Sequence, residues 1–222
     1  MPSFSYRDVC AALLGGVHTV LHLASMVDTS LKNNPRLWQV NVTGTQNVIH
    51  ACVTCGVRNL VYTSSEDVVL GEQPVLDGDE GTPYPARAIH PYVSTKMAAE
   101  KMLLAANGVD GLRTVALRPV HIYGPRDPHA IVHSLREFAS GRVPFCLGSG
   151  GALFELVFVD NVCHGHLLAA SALADPQRSG SVAGQVFFLT EDHRMNYFDW
   201  LKPYAKAKGV TVPSWRLPDA LT

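Results

Sequence analysis

Apolar and polar positions along this chain switch repeatedly between two periods. Val17-His18-Thr19-Val20-Leu21-His22-Leu23-Ala24 is a short β-branched and apolar run that predicts a buried parallel strand. From Pro35 to Gly56 the spacing becomes helical. Leu37, Val40, Val42, Val48, Ile49 and Val53 keep one stripe apolar, and Gly56 is placed to end it. Arg58 to Ser64 predicts a second strand, and Glu66 to Ala88, rich in Gly, Pro and Asp, predicts a long loop of functional character. A helix follows over His90 to Asn107 and a third strand over Leu112 to Pro119. The same alternation then gives a helix over Pro128 to Ser140, a strand over Phe154 to Val159 and a helix over Asn161 to Ala174. A strand over Gln185 to Thr190 and a helix over Tyr197 to Lys208 complete it. Regular alternation of this kind predicts an α/β fold, a doubly wound parallel sheet with helices on both faces.

Composition narrows the function classes. Hydrophobic residues make up 47% of the 222 and charged residues 17%, which fits a globular core. A formal net charge of −1 with no basic run gives nucleic-acid binding little support. The longest apolar runs are far too short to cross a bilayer, and the first residues lack the basic and apolar regions of a secretory signal. Cys10, Cys52, Cys55, Cys146 and Cys163 are an odd count, and Cys52-Val53-Thr54-Cys55 has no second pair. The cysteines read as thiols in a reducing, cytoplasmic compartment, and no metal site is expected.

The candidate chemistry centres on His90-Pro91-Tyr92-Val93-Ser94-Thr95-Lys96. Tyr92 and Lys96 stand four apart on one helix face, so a phenol and an ammonium project together. A nearby ammonium lowers a tyrosine pKa, and a tyrosine tuned in this way exchanges protons with an alcohol or a carbonyl. The pair alone also fits a chance surface pair. Ser65, after the second strand, could hold a substrate oxygen against the phenol, or be a turn or cap serine. Asn41 is a poor helix-interior residue unless its amide is needed, here for a water that relays protons from the lysine. It also reads as an exposed helix asparagine.

In order, spacing and context these segments resemble the extended short-chain dehydrogenase/reductase family. The resemblance rests on Leu21-His22-Leu23-Ala24-Ser25, Val40-Asn41-Val42-Thr43-Gly44-Thr45-Gln46-Asn47-Val48, Val61-Tyr62-Thr63-Ser64-Ser65-Glu66-Asp67-Val68, Tyr92-Val93-Ser94-Thr95-Lys96 and Leu117-Arg118-Pro119-Val120-His121-Ile122-Tyr123-Gly124-Pro125. Phe158-Val159-Asp160-Asn161-Val162, His166-Leu167-Leu168-Ala169-Ala170 and Gln185-Val186-Phe187-Phe188-Leu189-Thr190 narrow it to the 3β-hydroxysteroid dehydrogenase/isomerase branch. The resemblance implies a Rossmann-type sheet over residues 1–120 and a mixed core and substrate-binding part over 121–222. It also implies an oxidoreductase acting on the hydroxyl or ketone of a steroid or similar hydrophobic substrate, with NAD as cofactor and NADP not excluded. Tyr92 would be the acid/base, Lys96 would tune it and bond the nicotinamide ribose, Ser65 would orient substrate, and Asn41 would be the fourth catalytic position. Ala24 would line the ribose and adenine side, and Pro119 and Val120 would face the nicotinamide. Substrate would meet the 66–88 loop and the segments around Tyr123, Arg126 and Phe145 to Phe154. The helices bearing Asn41 and Tyr92 would form a homodimer. The branch also implies endoplasmic-reticulum membrane association for a full-length form. A nucleotide-sugar epimerase/dehydratase, a dihydroflavonol-type reductase and a catalytically inactive dimerisation partner are the competing readings.

The family's G-x-x-G-x-x-G loop, which cradles the cofactor pyrophosphate at a helix N-terminus, has no counterpart here. Gly15-Gly16 precedes a strand, and Gly148-Ser149-Gly150-Gly151 leads into another. Nor does an acidic residue end a second strand to bond the adenosine ribose. The expectation is an N-terminally truncated form that exposes an inner strand edge. The 222-residue chain is therefore predicted to be marginally stable and to bind NADH weakly. Titration followed by nicotinamide fluorescence checks this, and micromolar affinity would overturn it.

Overall fold

The computed structural model describes residues 12–28, 30, 32, 34–127, 131–148 and 150–217. Cys10 and the expected helical residues 128–130 lie outside the described residues. The chain divides into two compact units, one containing the residues up to Pro119 with Cys163–Leu189, the other containing Val120–Val162 with Thr190 onward.

The first unit is built on a four-stranded sheet. Its strands are β1 (Thr19–His22), β2 (Asn59–Thr63), β3 (Arg113–Pro119) and β7 (Val186–Leu189), every pair parallel, in the order β1-β2-β3-β7. The period of two along β2 sorts its side chains between the two faces. Leu60 and Tyr62 pack with Cys52, Ala99, Leu103 and Ala116, from the face that carries helices α2 (Gly44–Thr54) and α3 (Pro91–Ala105). Val61 packs with Val115, Leu117, Ala169 and Leu173 on the opposite face, against helix α5 (Val159–Ala174). Helices therefore cover both faces, as the alternation of strand and helix predicts.

The helix expected over Pro35 to Gly56 forms, in three consecutive pieces. α1 (Pro35–Trp38) starts at an Asn34 cap, a π-helical segment runs over Gln39–Thr43, and α2 continues to Thr54. Gly56, at φ +67°, follows the last turn in the left-handed region, where a glycine carries no Cβ penalty. The π segment is absent from the sequence reading, and it rotates the stripe predicted there: Val40 is 40% exposed and Asn41 is buried in its place. The 66–88 stretch is irregular apart from a single 3₁₀ turn over Glu66–Val69.

In the second unit β4 (His121–Tyr123) pairs in parallel with β6 (Phe154–Phe158), and β6 pairs antiparallel with β8 (Arg194–Met195). Tyr123 therefore closes a strand that the sequence reading does not predict, because three residues are too few to show a period. Helices α4 (Ile131–Ala139) and α7 (Tyr197–Ala207), the short α6 (Ser179–Val182) of the first unit and the two-residue pair β5 (Cys146–Leu147) with β9 (Arg216–Leu217) complete the elements. Leu156, Trp200 and Leu201 form the core of this unit, edged by Tyr123, Phe154, Tyr197 and Tyr204.

Among the described residues β1 is an edge strand, paired only with β2. Leu21 and Leu23 on and after it are 38% and 56% exposed. The central core carries the stability of the unit. Leu103→Ala removes a fully buried side chain from the α3–sheet contact and should cost about 2–5 kcal/mol, read as a lower urea midpoint.

Candidate active site

Three strands end on one side of the sheet, and each hands the chain to a residue of the candidate site. β1 leads to exposed Ala24 and half-buried Ser25, β2 to Ser64 and Ser65, and β3 ends at buried Pro119. Carboxyl ends of parallel strands are where doubly wound sheets bind ligands. Val120, next after Pro119, is 6% exposed and opens the second unit. Tyr123, Arg126 and the 145–154 segment belong to that unit and the 66–88 loop to the first.

Helix α3 carries the couple. Its N-cap is His90, with Pro91 at the first helical position, where a missing N–H costs nothing. Tyr92 is 7% exposed and Lys96 only 1%. This removes the surface-pair reading, since burying an ammonium is costly. Lys96 Nζ donates to the carbonyl of Thr63 at 2.6 Å and lies 4.4 Å above the centre of the Tyr62 ring. Burial drives its pKa down to about 7, against Glu100 and Asp67, which favour the charged form.

The phenol departs from expectation. Burial, then the Asp67 carboxylate, pushes Tyr92 up to about 12, while the Ser65 and Ser25 hydroxyls beside it pull the other way. The lysine is held on the Thr63 carbonyl instead of on the phenol, so the expected lowering of the tyrosine does not operate in this arrangement. Ser65, rather than Ser64, is the serine at the phenol. Its hydroxyl donates to Asp67 Oδ2 at 3.1 Å, and its oxygen caps the 3₁₀ turn. The buried Ser64 hydroxyl has no hydrogen-bond partner among the described residues.

Asn41 is 2% exposed, in the middle of the π segment. Its Oδ1 accepts from Met26 N at 2.7 Å and from Ser25 Oγ at 3.2 Å; its Nδ2 donates to Met26 O at 2.9 Å and to Thr95 Oγ1 at 3.0 Å. All four of its amide bonds are taken. The side chain therefore has no capacity left for the relaying water expected of it. It ties the chain leaving β1 to α3, and it places Ser25 beside Tyr92. Its carbonyl accepts from Thr45 Oγ1 at 2.7 Å, and Thr45 is also bonded to buried His22 at 3.0 Å. That assigns a proton to His22 Nε2. Burial, then the Lys96 charge, lowers His22 to about 4 and keeps it neutral.

Ser25, Asp67, Thr63, Thr45 and His22 are site residues that the sequence reading missed. All five stand within the quoted motifs, but nothing local marks which of their side chains face the phenol or the lysine on another element.

The 3-beta hydroxysteroid dehydrogenase/isomerase family pattern matches residues 5–219. The chain belongs to that family. It is 36% identical over 216 residues to a 3 beta-hydroxysteroid dehydrogenase/Delta 5-->4-isomerase of Mycobacterium tuberculosis, covering 95% of this chain and 58% of that protein. To a decarboxylating sterol-4-alpha-carboxylate 3-dehydrogenase of Homo sapiens it is 34% identical over 221 residues, covering 97% and 58%. The chain thus spans somewhat over half the length of these relatives. Among solved structures, MoeE5 in complex with UDP-glucuronic acid and NAD is similar at a TM-score of 0.75 and 26% identity, over 94% of this chain and 68% of that one. Among the described residues no helix is long and apolar enough to cross a membrane.

The buried lysine makes stability depend on pH. Unfolded, Lys96 binds its proton up to about 10.5, and folded only up to about 7. Between those values the unfolded state holds the extra proton, so stability rises with pH, by at most about 1.4 kcal/mol per unit. Urea midpoints at pH 7, 8 and 9 should climb for the wild type and stay flatter for Lys96→Met.

Proposed function

We propose that this 3-beta hydroxysteroid dehydrogenase/isomerase family member is a nicotinamide-dependent oxidoreductase that interconverts a hydroxyl and a ketone on a steroid or sterol ring, with Tyr92 as acid/base. The observation that carries the reading is the buried phenol with Ser65 and Ser25 against it and a buried lysine one turn on. The names of the curated relatives, a 3 beta-hydroxysteroid dehydrogenase and a sterol 3-dehydrogenase, support the substrate class. The NAD bound by MoeE5 supports the cofactor, NADP remaining the alternative.

The residues present fit the nicotinamide end of such a cofactor. Lys96 spends one of its three N–H donors on Thr63, which leaves two for ribose hydroxyls. Ala24 and Pro119 stand at the strand ends that would flank the rings, and Val120 follows. When bound, the nicotinamide supplies the two-electron acceptor for the carbinol hydride. Tyr92 takes the proton of the substrate hydroxyl during oxidation and returns it during reduction. Ser65, fixed by Asp67, holds the substrate oxygen at the phenol. An ammonium newly engaged by ribose hydroxyls gains stabilisation of its charged form, which favours the Tyr92 phenolate. Asn41 acts by holding the chain after β1.

A nucleotide-sugar substrate is the second reading, supported by the UDP-glucuronic acid bound in MoeE5. The steroid reading is preferred because both the family pattern and the curated relatives support it. A homodimer through α1–α2 and α3 is part of the proposal, supported by Trp38 on α1 and Val40 on the π segment between α1 and α2, 53% and 40% exposed. A cytoplasmic setting is part of the same proposal, supported by the cysteine pattern of the sequence.

With a 3β-hydroxysteroid and NAD, Tyr92→Phe should lower turnover at least about a hundredfold, followed by nicotinamide absorbance, while nicotinamide binding is retained. Undiminished turnover in that variant would overturn the assignment of Tyr92.

A further inference from the structure

Helix α3 stacks three functional groups at four-residue intervals on one face: the Tyr92 phenol, the Lys96 ammonium and the Glu100 carboxylate, 7%, 1% and 0% exposed. The first two form the couple already described. The third has no role in that chemistry, yet it is the most deeply buried of the three.

Glu100 is held from two other elements. Arg118 on β3, 2% exposed, donates Nη2 to Oε1 at 2.7 Å and Nε to both carboxylate oxygens at 3.2 Å. Tyr84, from the long loop, donates its hydroxyl to Oε1 at 2.7 Å. The guanidinium lies 5.4 Å from the Phe188 ring of β7 and 5.6 Å from that of Tyr84. A carboxylate so fixed cannot turn away from the helix face that it shares with Lys96.

Lys96 is faced by His22 from β1, by the Tyr62 ring and the Thr63 carbonyl from β2, by Asp67 from the 3₁₀ turn and by Glu100 from its own helix. His22 is neutral and Tyr62 an uncharged ring. Only Glu100 and Asp67 bring negative charge. Asp67 is half-buried in the crevice and already accepts from Ser65. Glu100 is sealed from water and acts on Lys96 whether or not a ligand is bound.

We propose that Glu100 is a positioning residue for the acid/base couple: its buried carboxylate, one turn along the same helix face, favours the Lys96 ammonium against the cost of burial, and Arg118 and Tyr84 hold that carboxylate in place. The consequence for catalysis rests on the dehydrogenase reading, because only a charged Lys96 can favour a phenolate at Tyr92. The claim about Lys96 itself does not rest on it.

The test reads the lysine directly. In the full chain carrying ¹³C-labelled lysine, the Lys96 side-chain signal is assigned by its loss in Lys96→Met, and its titration midpoint is followed by NMR. Glu100→Gln should lower that midpoint by at least about one pH unit, a tenfold loss of proton affinity. Because Glu100→Gln alone strands a buried guanidinium and can unfold the chain, Glu100→Gln with Arg118→Met is measured as well, and a smaller fall in the same direction is expected, since loss of the Arg118 cation opposes it. An unchanged midpoint in the folded double variant overturns the proposal and reduces the pair to a structural ion pair. Loss of steroid turnover with unchanged midpoints would count against Glu100 as well. Absence of turnover in the wild type would instead count against the dehydrogenase reading and leave the midpoints to decide this one.

Discussion

An ammonium sealed between a sheet and a helix sets the terms for the first unit. Lys96 lies where desolvation opposes its charge, and what favours that charge is the Thr63 carbonyl at the end of β2, the face of Tyr62, the Asp67 carboxylate and, one turn on along its own helix, Glu100. Those contacts require β2 and α3 to meet in one register, because moving either element by one residue would turn the lysine toward apolar neighbours. The core that fixes the register is the same cluster of Leu60, Tyr62, Ala99 and Leu103. Packing and chemistry are thus served by one interface. Tyr62 belongs to both, as a core side chain and as the ring beneath the ammonium.

The opposite wall of the site depends on a local irregularity. The π-helical turn at Gln39–Thr43 directs the Asn41 amide into the chain that leaves β1. There it replaces the hydrogen bonds that a loop backbone would otherwise seek from water. With all four bonds made, Asn41 behaves as a structural bracket that ties Ser25, after β1, to Thr95 of α3. π turns are uncommon and concentrate at functional sites, and this one is where the polar network of the site begins.

Family membership and geometry address different parts of the molecule. The proton-transfer groups and the strand ends that would flank a nicotinamide lie within the described residues of the first unit. A glycine-rich pyrophosphate cradle is not found in the sequence, and the chain spans somewhat over half the length of its curated relatives. Gly16 is in the left-handed region but precedes β1, so it stands at the amino end of the sheet, away from the strand ends that carry Ser25 and Ser65.

Periodicity by itself determined the α/β class, the main strands and helices, and the sharing of one helix face by Tyr92 and Lys96. Each of these follows from spacing along a single element, which a local pattern records. Motif order was enough to place the chain in its family. Short elements such as β4 and the β5–β9 pair escaped because two or three residues cannot display a period. The partners of the site residues escaped for a deeper reason. Whether Lys96 rests on the phenol or on the Thr63 carbonyl, whether the amide of Asn41 is free, and whether Glu100 faces solvent or Arg118 are all settled by contacts between elements distant in sequence. Only tertiary packing, through burial and the competition for hydrogen-bond partners it imposes, decided that the lysine would be pushed down, the tyrosine up and the asparagine saturated.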